Sequence, residues 1–220
     1  MSTIDRRPLK TRQARWAQRF SAALARWGVT PNAISATSLV WAALVGVALF
    51  CVTRAAEGWP RGLLFFAAAL GIQLRLLCNM LDGMVAVEGG RRSATGELWN
   101  EVPDRIADSF ILIGAGYACR DLSGGVTLGW AAALVAAMTA YLRALAGQLG
   151  LNGCFHGPMA KPHRMFLLTC ACLGAAIWQV EASVIVASAL GVIIVGSLVT
   201  CWRRLVALRR HLLLGQDGVG

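Results

Sequence analysis

Six runs of largely apolar residues, each near 20 residues long and separated by short polar connections, constrain this chain more than any other feature. They lie at 33–52, 63–87, 96–119, 125–149, 162–180 and 183–203. A hydrocarbon layer about 30 Å thick is crossed by about 20 apolar residues in a helix. Hydrophobic residues make up 57% of the 220, and charged residues only 15%, where a soluble domain carries about a quarter. The surplus apolar surface is therefore lipid-facing as well as core. The expected fold is all-α: an integral membrane bundle of six transmembrane helices.

The segment before the first run reads as a further helix. Over 9–27, Leu9, Trp16, Phe20, Ala23, Leu24 and Trp27 fall roughly along one face, with Arg12, Arg15, Arg19 and Arg26 mainly elsewhere. That pattern predicts an amphipathic helix in the headgroup plane. Thr30 then suits an N-cap and Pro31 the first helical turn of the first span. The chain divides into an N-terminal segment 1–29, a transmembrane domain 30–205 and a tail 206–220. It shows no internal repeat and no cleavable secretory signal.

Charge placement fixes an expected topology. The net charge is +10, yet the Lys and Arg residues sit at the termini and in alternate loops. Fifteen lie in the N-terminal segment, the 88–95 and 150–165 loops and the tail, against Arg54, Arg61 and Arg120 on the other side. This asymmetry predicts both termini and the functional site in the cytoplasm, here of a bacterial inner membrane, and argues against a nucleic-acid partner. The tail residues Arg203, Arg204, Arg209 and Arg210 read as a topology anchor that attracts anionic lipid. The seven cysteines lack metal-site spacing and read as small buried hydrophobes.

Polar groups inside a span are costly and by default functional. The second and third spans hold most of them: Arg75, Asn79, Asp82, then Glu97, Asn100, Glu101, Asp104, Arg105 and Asp108. Asn79, Asp82, Gly83 and Ala86 share one helical stripe, and Gly96, Asn100, Asp104 and Asp108 another. Joined by the short Glu88–Thr95 loop, the two spans form a hairpin. Asp82 lies about 9 Å and Asp104 about 12 Å from the loop at 1.5 Å per residue, so the stripes meet at similar depth. Gly83, Ala86 and Gly96 are small enough for close backbone approach. Equal distance from the loop also sets Asn79 near Asp104 and Arg75 opposite Asp108, predicting a buried ion pair. Carboxylates gathered in a low dielectric are tolerated around a divalent cation, and hard oxygen ligands select Mg, Mn or Ca. The carboxylates gathered on or beside these stripes are Asp82, Asp104, Asp108 and Glu101.

The stretch Asn79-x2-Asp82-Gly83-x2-Ala86-Val87, eight residues, Gly96-x3-Asn100-x3-Asp104 resembles the signature of the CDP-alcohol phosphotransferases, D-x2-D-G-x2-A-R-x8-G-x3-D-x3-D, with the same spacing throughout. The six-span layout and the Thr30-Pro31-Asn32 entry fit as well. The departures are Asn79 and Asn100 at the first and third aspartate positions and Val87 at the arginine, as in a variant branch. Asn keeps a carbonyl oxygen for a metal, but two negative charges are gone; Glu101 and Asp108 are placed to restore them.

The resemblance implies a phosphatidyl transfer from CDP-diacylglycerol to an alcohol, with CMP released. By motif position Asp82 is a metal ligand, Asn79 and Asn100 are weak ligands, and Asp104 is the general base. The nucleotide falls to Asn79, Asp82, Gly83, Ala86, Gly96 and Asn100. Arg143 near the end of span four, with Lys161 and Arg164 entering span five, occupies the region where family members receive the acceptor, and suits an anionic one. The cofactor implied is Mg or Mn, and the assembly a homodimer. Three alternatives stay open: transfer of a CDP-linked soluble headgroup to diacylglycerol, a non-catalytic nucleotide-lipid binder, and an ion-coupled transporter. The apolar outer half of the bundle argues against the last.

Overall fold

The computed structural model describes residues 14–88, 96–151, 153–154 and 156–216. Residues 9–13 of the expected amphipathic helix, the 89–95 connection with Arg91 and Arg92, and the side chains of Val87, Glu97 and Asn100 lie outside the described residues.

Seven α-helices account for nearly all of the described chain: α1 (Arg15–Arg26), α2 (Pro31–Cys51), α3 (Trp59–Glu88), α4 (Gly96–Ala118), α5 (Gly125–Gln148), α6 (Lys161–Ile177) and α7 (Ala182–Gln216). Each expected span is covered by one helix. α2 begins as its sequence dictates: the Thr30 hydroxyl accepts the Ala33 amide at 3.2 Å, and Pro31 fills the first position, where no amide is needed. Pro60 and Pro162 occupy the first turns of α3 and α6 in the same way. α7 continues beyond residue 203 to Gln216 because Leu208 is buried against Ala146 and Cys154, which gives the tail a tertiary anchor.

Four helices are long and apolar enough to cross a membrane: α2 with the following turn (Pro31–Arg54), α3 (Trp59–Ala86), α5, and α7 (Ala182–Leu214). The chain is an integral membrane protein. α4 is set apart by its charges and α6 by its 17-residue length and basic first turn.

Among the described residues, α2 to α7 close into a ring in the spatial order α3, α2, α4, α5, α7, α6, and back to α3. Its core is dominated by Ala, Leu, Ile and Val from all six helices, including Leu49, Phe65, Ile72, Ile111, Leu112, Leu168 and Leu190. Among the described residues, the two spans expected to form a tight hairpin make no extensive backbone contact. α2 lies against both α3 and α4, and these two meet through side chains instead. Close glycine approaches among the described residues also tie α4 to its other neighbours. A Cβ on Gly114 would come within 2.8 Å of the Gly46 Cα, and one on Gly116 within 2.7 Å of the Gly129 Cα, so α4 packs tightly on α2 and α5.

α1 is amphipathic with three sectors rather than two. Ala17 and Ser21 are buried, and Leu24 and Ala25 pack with Met80, Leu81, Met84 and Val85 of α3. Trp16, Phe20 and Trp27 are exposed on a neighbouring sector, and Arg15, Arg19 and Arg26 on a third. The face that meets the protein is thus the small-residue one.

Candidate active site

The charged and polar stripes of α3 and α4 converge inside the ring, near the ends of these helices joined by the 89–95 connection. Asp82 is buried. One carboxylate oxygen, Oδ2, accepts the Ser35 hydroxyl of α2 at 2.8 Å, while Oδ1 is buried without a hydrogen-bond partner. One turn away, Asn79 Oδ1 accepts the Ser38 hydroxyl at 2.6 Å. Asn79 Nδ2 in turn donates a short hydrogen bond to Asp104 Oδ1 on α4.

Asp104 is the hub. Besides Asn79, its Oδ1 lies 3.4 Å from Arg75 Nη2, and its Oδ2 lies 2.5 Å from Lys161 Nζ and 3.8 Å from Arg105 Nη2. Arg75 Nη2 also reaches the Asp104 main-chain carbonyl at 3.3 Å. A turn deeper, the expected Arg75–Asp108 pair is present at 2.8 Å, and Arg164 of α6 closes on the other carboxylate oxygen at 3.2 Å. Arg75 and Arg164 are almost fully buried. Arg164 is held further by the Thr139 hydroxyl of α5 and the Met159 carbonyl. Guanidinium and carboxylate groups at this depth persist only when paired and hydrogen-bonded, because an isolated ion is strongly disfavoured there.

This geometry redistributes the candidates. Asn79, Asp82, Asp104 and Lys161 come together. Asp108, a candidate ligand, is enclosed between two guanidinium groups. Arg164, a candidate for the acceptor, is inside the bundle beneath Asp104 rather than on an open surface. Glu101 forms a short ion pair with Arg143 and a second at 3.3 Å with Arg105, and both Glu101 and Arg143 are more than a third exposed, so this group forms the rim. Gly83 and Ala86 are half-buried on the next turn of α3, and Gly96 opens α4.

Several contributors went unread in the sequence. Ser35 and Ser38 lie one turn apart in an otherwise apolar span, and that spacing was the available signal. Arg204, read as a tail anchor, is instead buried: its Nε donates to the His156 carbonyl at 3.2 Å and its Nη1 makes a short bond to the Thr139 carbonyl. Thr200 Oγ1 accepts the Met159 amide at 3.0 Å, and a Cβ on Gly157 (φ +122°) would come within 2.5 Å of Thr200. Together these contacts fasten the segment ahead of Lys161 onto α7.

Donor chemistry at this site consists of hard oxygens, and the orphaned Asp82 Oδ1 fits a divalent cation. Among the described residues no cluster of three or more His, Cys, Asp or Glu is arranged to hold a metal unaided.

Comparison with known proteins supports the same region of chemistry. No protein-family model matches the chain. The chain is 30% identical over 169 residues to archaetidylinositol phosphate synthase of Methanothermobacter thermautotrophicus, covering 74% of this chain and 82% of that protein. It is 29% identical over 200 residues to phosphatidylinositol phosphate synthase of Streptomyces avermitilis, covering 87% and 77%. Its fold is similar to two structures of Mycobacterium tuberculosis phosphatidylinositol phosphate synthase, both with a TM-score of 0.71. One, in complex with manganese and citrate, is 22% identical and covers 87% of this chain and 88% of that one. The other, with CDP-DAG bound, is 24% identical and covers 89% and 94%.

Proposed function

The chain belongs to the CDP-alcohol phosphatidyltransferase family, and we propose that it transfers the phosphatidyl group of CDP-diacylglycerol to a hydroxyl of an inositol phosphate, releasing CMP. The transferase activity, with CDP-diacylglycerol as donor and an alcohol as acceptor, follows from its relatives. The anionic character of the acceptor rests on one observation above all: Lys161 Nζ stands 2.5 Å from Asp104 Oδ2, so a cation is built against the group that takes the acceptor's proton.

In this reading Asp104 accepts the proton of the attacking hydroxyl as its oxygen bonds to the phosphorus on the diacylglycerol side. The bond from that phosphorus to the bridging oxygen breaks, and CMP departs. Asn79 and Arg75 hold Asp104 in place from one side. Lys161 and, at the rim, Arg143 receive the acceptor's phosphate, while Arg164 supports the site from beneath. A divalent metal ion is the cofactor, in keeping with the manganese in complex with the Mycobacterium tuberculosis enzyme. Asp82 through its free Oδ1, Asp104, and by position Asn100 are the residues that would hold it; when bound it neutralises pyrophosphate charge. Asp108 and Glu101, each committed to two cations, serve as ion-pair partners. The cytidine and pyrophosphate lie along Asn79, Asp82, Gly83, Ala86, Gly96 and Asn100. With Asn at two motif positions the chain represents a variant branch of the family.

The same reading assigns six crossings. α4 carries an outward stripe of Leu98, Val102, Ile106 and Phe110, and α6 one of Phe166, Cys170, Leu173 and Ile177, so both present apolar faces to lipid despite their internal charges. α1 rests in the headgroup plane on its tryptophan and arginine sectors. Both termini and the site face the cytoplasm of a bacterial inner membrane, with segments 1–29, 30–205 and 206–220 as headgroup helix, catalytic domain and tail, and the enzyme is a homodimer.

The test is CMP release from CDP-diacylglycerol with Mg or Mn and a panel of alcohols. Inositol phosphate should give the highest kcat/KM, and Arg143→Gln should raise the acceptor's KM more than that of CDP-diacylglycerol. A neutral alcohol proving the best acceptor would overturn the assignment.

A further inference from the structure

Among the described residues, each aspartate oxygen in this site except one already faces a donor. Asp104 Oδ1 takes Asn79 and Arg75, and Asp104 Oδ2 takes Lys161. Asp108 is shared between Arg75 and Arg164, and Asp82 Oδ2 accepts Ser35. Among the described residues, Asp82 Oδ1 and Asp108 Oδ1 are buried without a hydrogen-bond partner; Asp108 Oδ1 stands 2.8 Å from Arg75 Nη2, and Asp82 Oδ1 is left over. Among the described residues, three carboxylates (Asp82, Asp104, Asp108) are matched by three cations (Arg75, Lys161, Arg164), and the rim adds Glu101 against Arg105 and Arg143.

Among the described residues, such a site carries no surplus negative charge with which to draw in a bare divalent ion. Two of the four motif positions are uncharged, and the Asn79 carbonyl oxygen is engaged by Ser38. A cation entering alone meets one free carboxylate oxygen and three fixed positive groups in a low dielectric, where repulsion is poorly screened. The pyrophosphate of CDP-diacylglycerol supplies what is lacking: about two negative charges and several hard oxygens. Conversely, a pyrophosphate entering alone finds its charge only partly compensated.

We propose that in this chain the divalent metal and CDP-diacylglycerol bind as an interdependent pair, the metal being taken up with the nucleotide-lipid rather than held in the resting site, and that Lys161 is the residue that enforces this by occupying Asp104. This rests on the phosphatidyltransferase reading above and concerns its order of assembly. Coupling between two ligands is reciprocal: whatever factor CDP-diacylglycerol adds to metal affinity, the metal adds to CDP-diacylglycerol affinity.

The experiment is a Mn titration followed by electron paramagnetic resonance of free Mn. Protein in lipid nanodiscs is titrated with and without saturating CDP-diacylglycerol and no acceptor, with nanodiscs carrying the same lipid but no protein as the blank. Mn affinity should rise by a factor within the range of about 5–150 typical of such couplings. Lys161→Gln, which frees Asp104 Oδ2, should tighten Mn binding in the absence of nucleotide, a change opposite in sign to that of simple structural damage. Asn79→Asp with Asn100→Asp should likewise bind Mn without nucleotide, and its coupling factor should fall towards one. Equal Mn affinity with and without CDP-diacylglycerol, in protein that releases CMP on addition of acceptor, would overturn the proposal and leave the activity standing. Absence of CMP release with every acceptor and metal would instead remove the phosphatidyltransferase reading on which it rests.

Discussion

Asp82 and Asp104 occupy corresponding depths on neighbouring helices, yet their surroundings differ, and the different work proposed for them follows that difference. Asp82 keeps one oxygen without a protein donor, as a metal ligand requires, and its other oxygen is fixed by Ser35. Asp104 is bracketed by Asn79, Arg75 and Lys161, donors that fix the carboxylate in place and aim it, which suits the role of base proposed for it. Loss of a general base costs about 10²–10⁴-fold in rate. Asp104→Asn is therefore expected to lower CMP release by at least that factor with the fold intact in detergent, and Asp82→Ala to do the same through loss of metal. Turnover near wild type in either variant would mean that these roles have been misassigned. The two aspartates were legible in the sequence because the motif spacing singles them out. Ser35 and Ser38 were not, since a hydroxyl in an apolar helix bonds its own backbone as readily as a neighbour.

Between elements, the question is what sets the register of α3 against α4 when α2 keeps their backbones apart. Counting residues from the connecting loop placed Arg75 opposite Asp108, and the pair is present at 2.8 Å. Helical period fixes which faces meet and says nothing of what lies between them, and over the described residues α2 packs against both helices. An arginine's long side chain bridges the wider gap, where a direct backbone contact would have needed none. Arg164 was invisible to that reasoning, since its approach to Asp108 depends on how α6 closes the ring. Asp108 thus neutralises two buried guanidinium groups. Removing one partner of a buried ionic cluster typically costs about 3–5 kcal/mol, whereas removing both members of a pair costs far less. Asp108→Leu should accordingly lower thermal stability in detergent more than the double variant Arg75→Leu with Asp108→Leu. Equal losses in the single and double variants would show that the helices are not coupled through this pair.

At the scale of the whole molecule, the number of membrane crossings decides whether the site is assembled on one side. Four helices qualify by length and apolarity alone, and with only those crossing, α4 and α6 would lie within one leaflet or along its surface. The internal fastenings argue for six. The Gly58 amide donates to Gln179 Oε1 at 2.9 Å, which puts the α2–α3 and α6–α7 connections at one end of the bundle. Met159 bonds Thr200, and Arg204 bonds the His156 carbonyl, placing the α5–α6 connection beside a part of α7 about 30 Å from its start at 1.5 Å per residue. α6 therefore runs from one end of the bundle to the other. α4 does likewise, since Asp104 near its start meets Lys161 and its far end packs against the turn Val52–Arg54 that follows α2. The Lys and Arg asymmetry in the sequence points the same way, but it counted Arg204 as a loop charge where the structure uses it as a fastener. Reporter fusions discriminate between the two topologies. With six crossings, alkaline phosphatase fused after Leu122 is exported and active, and fused after Gly153 it is retained and inactive. With four, both outcomes reverse, because α5 would then cross in the opposite sense. A phosphatase active after Gly153 would place Lys161 on the far side of the membrane from a cytoplasmic nucleotide, and the six-crossing enzyme would have to be abandoned.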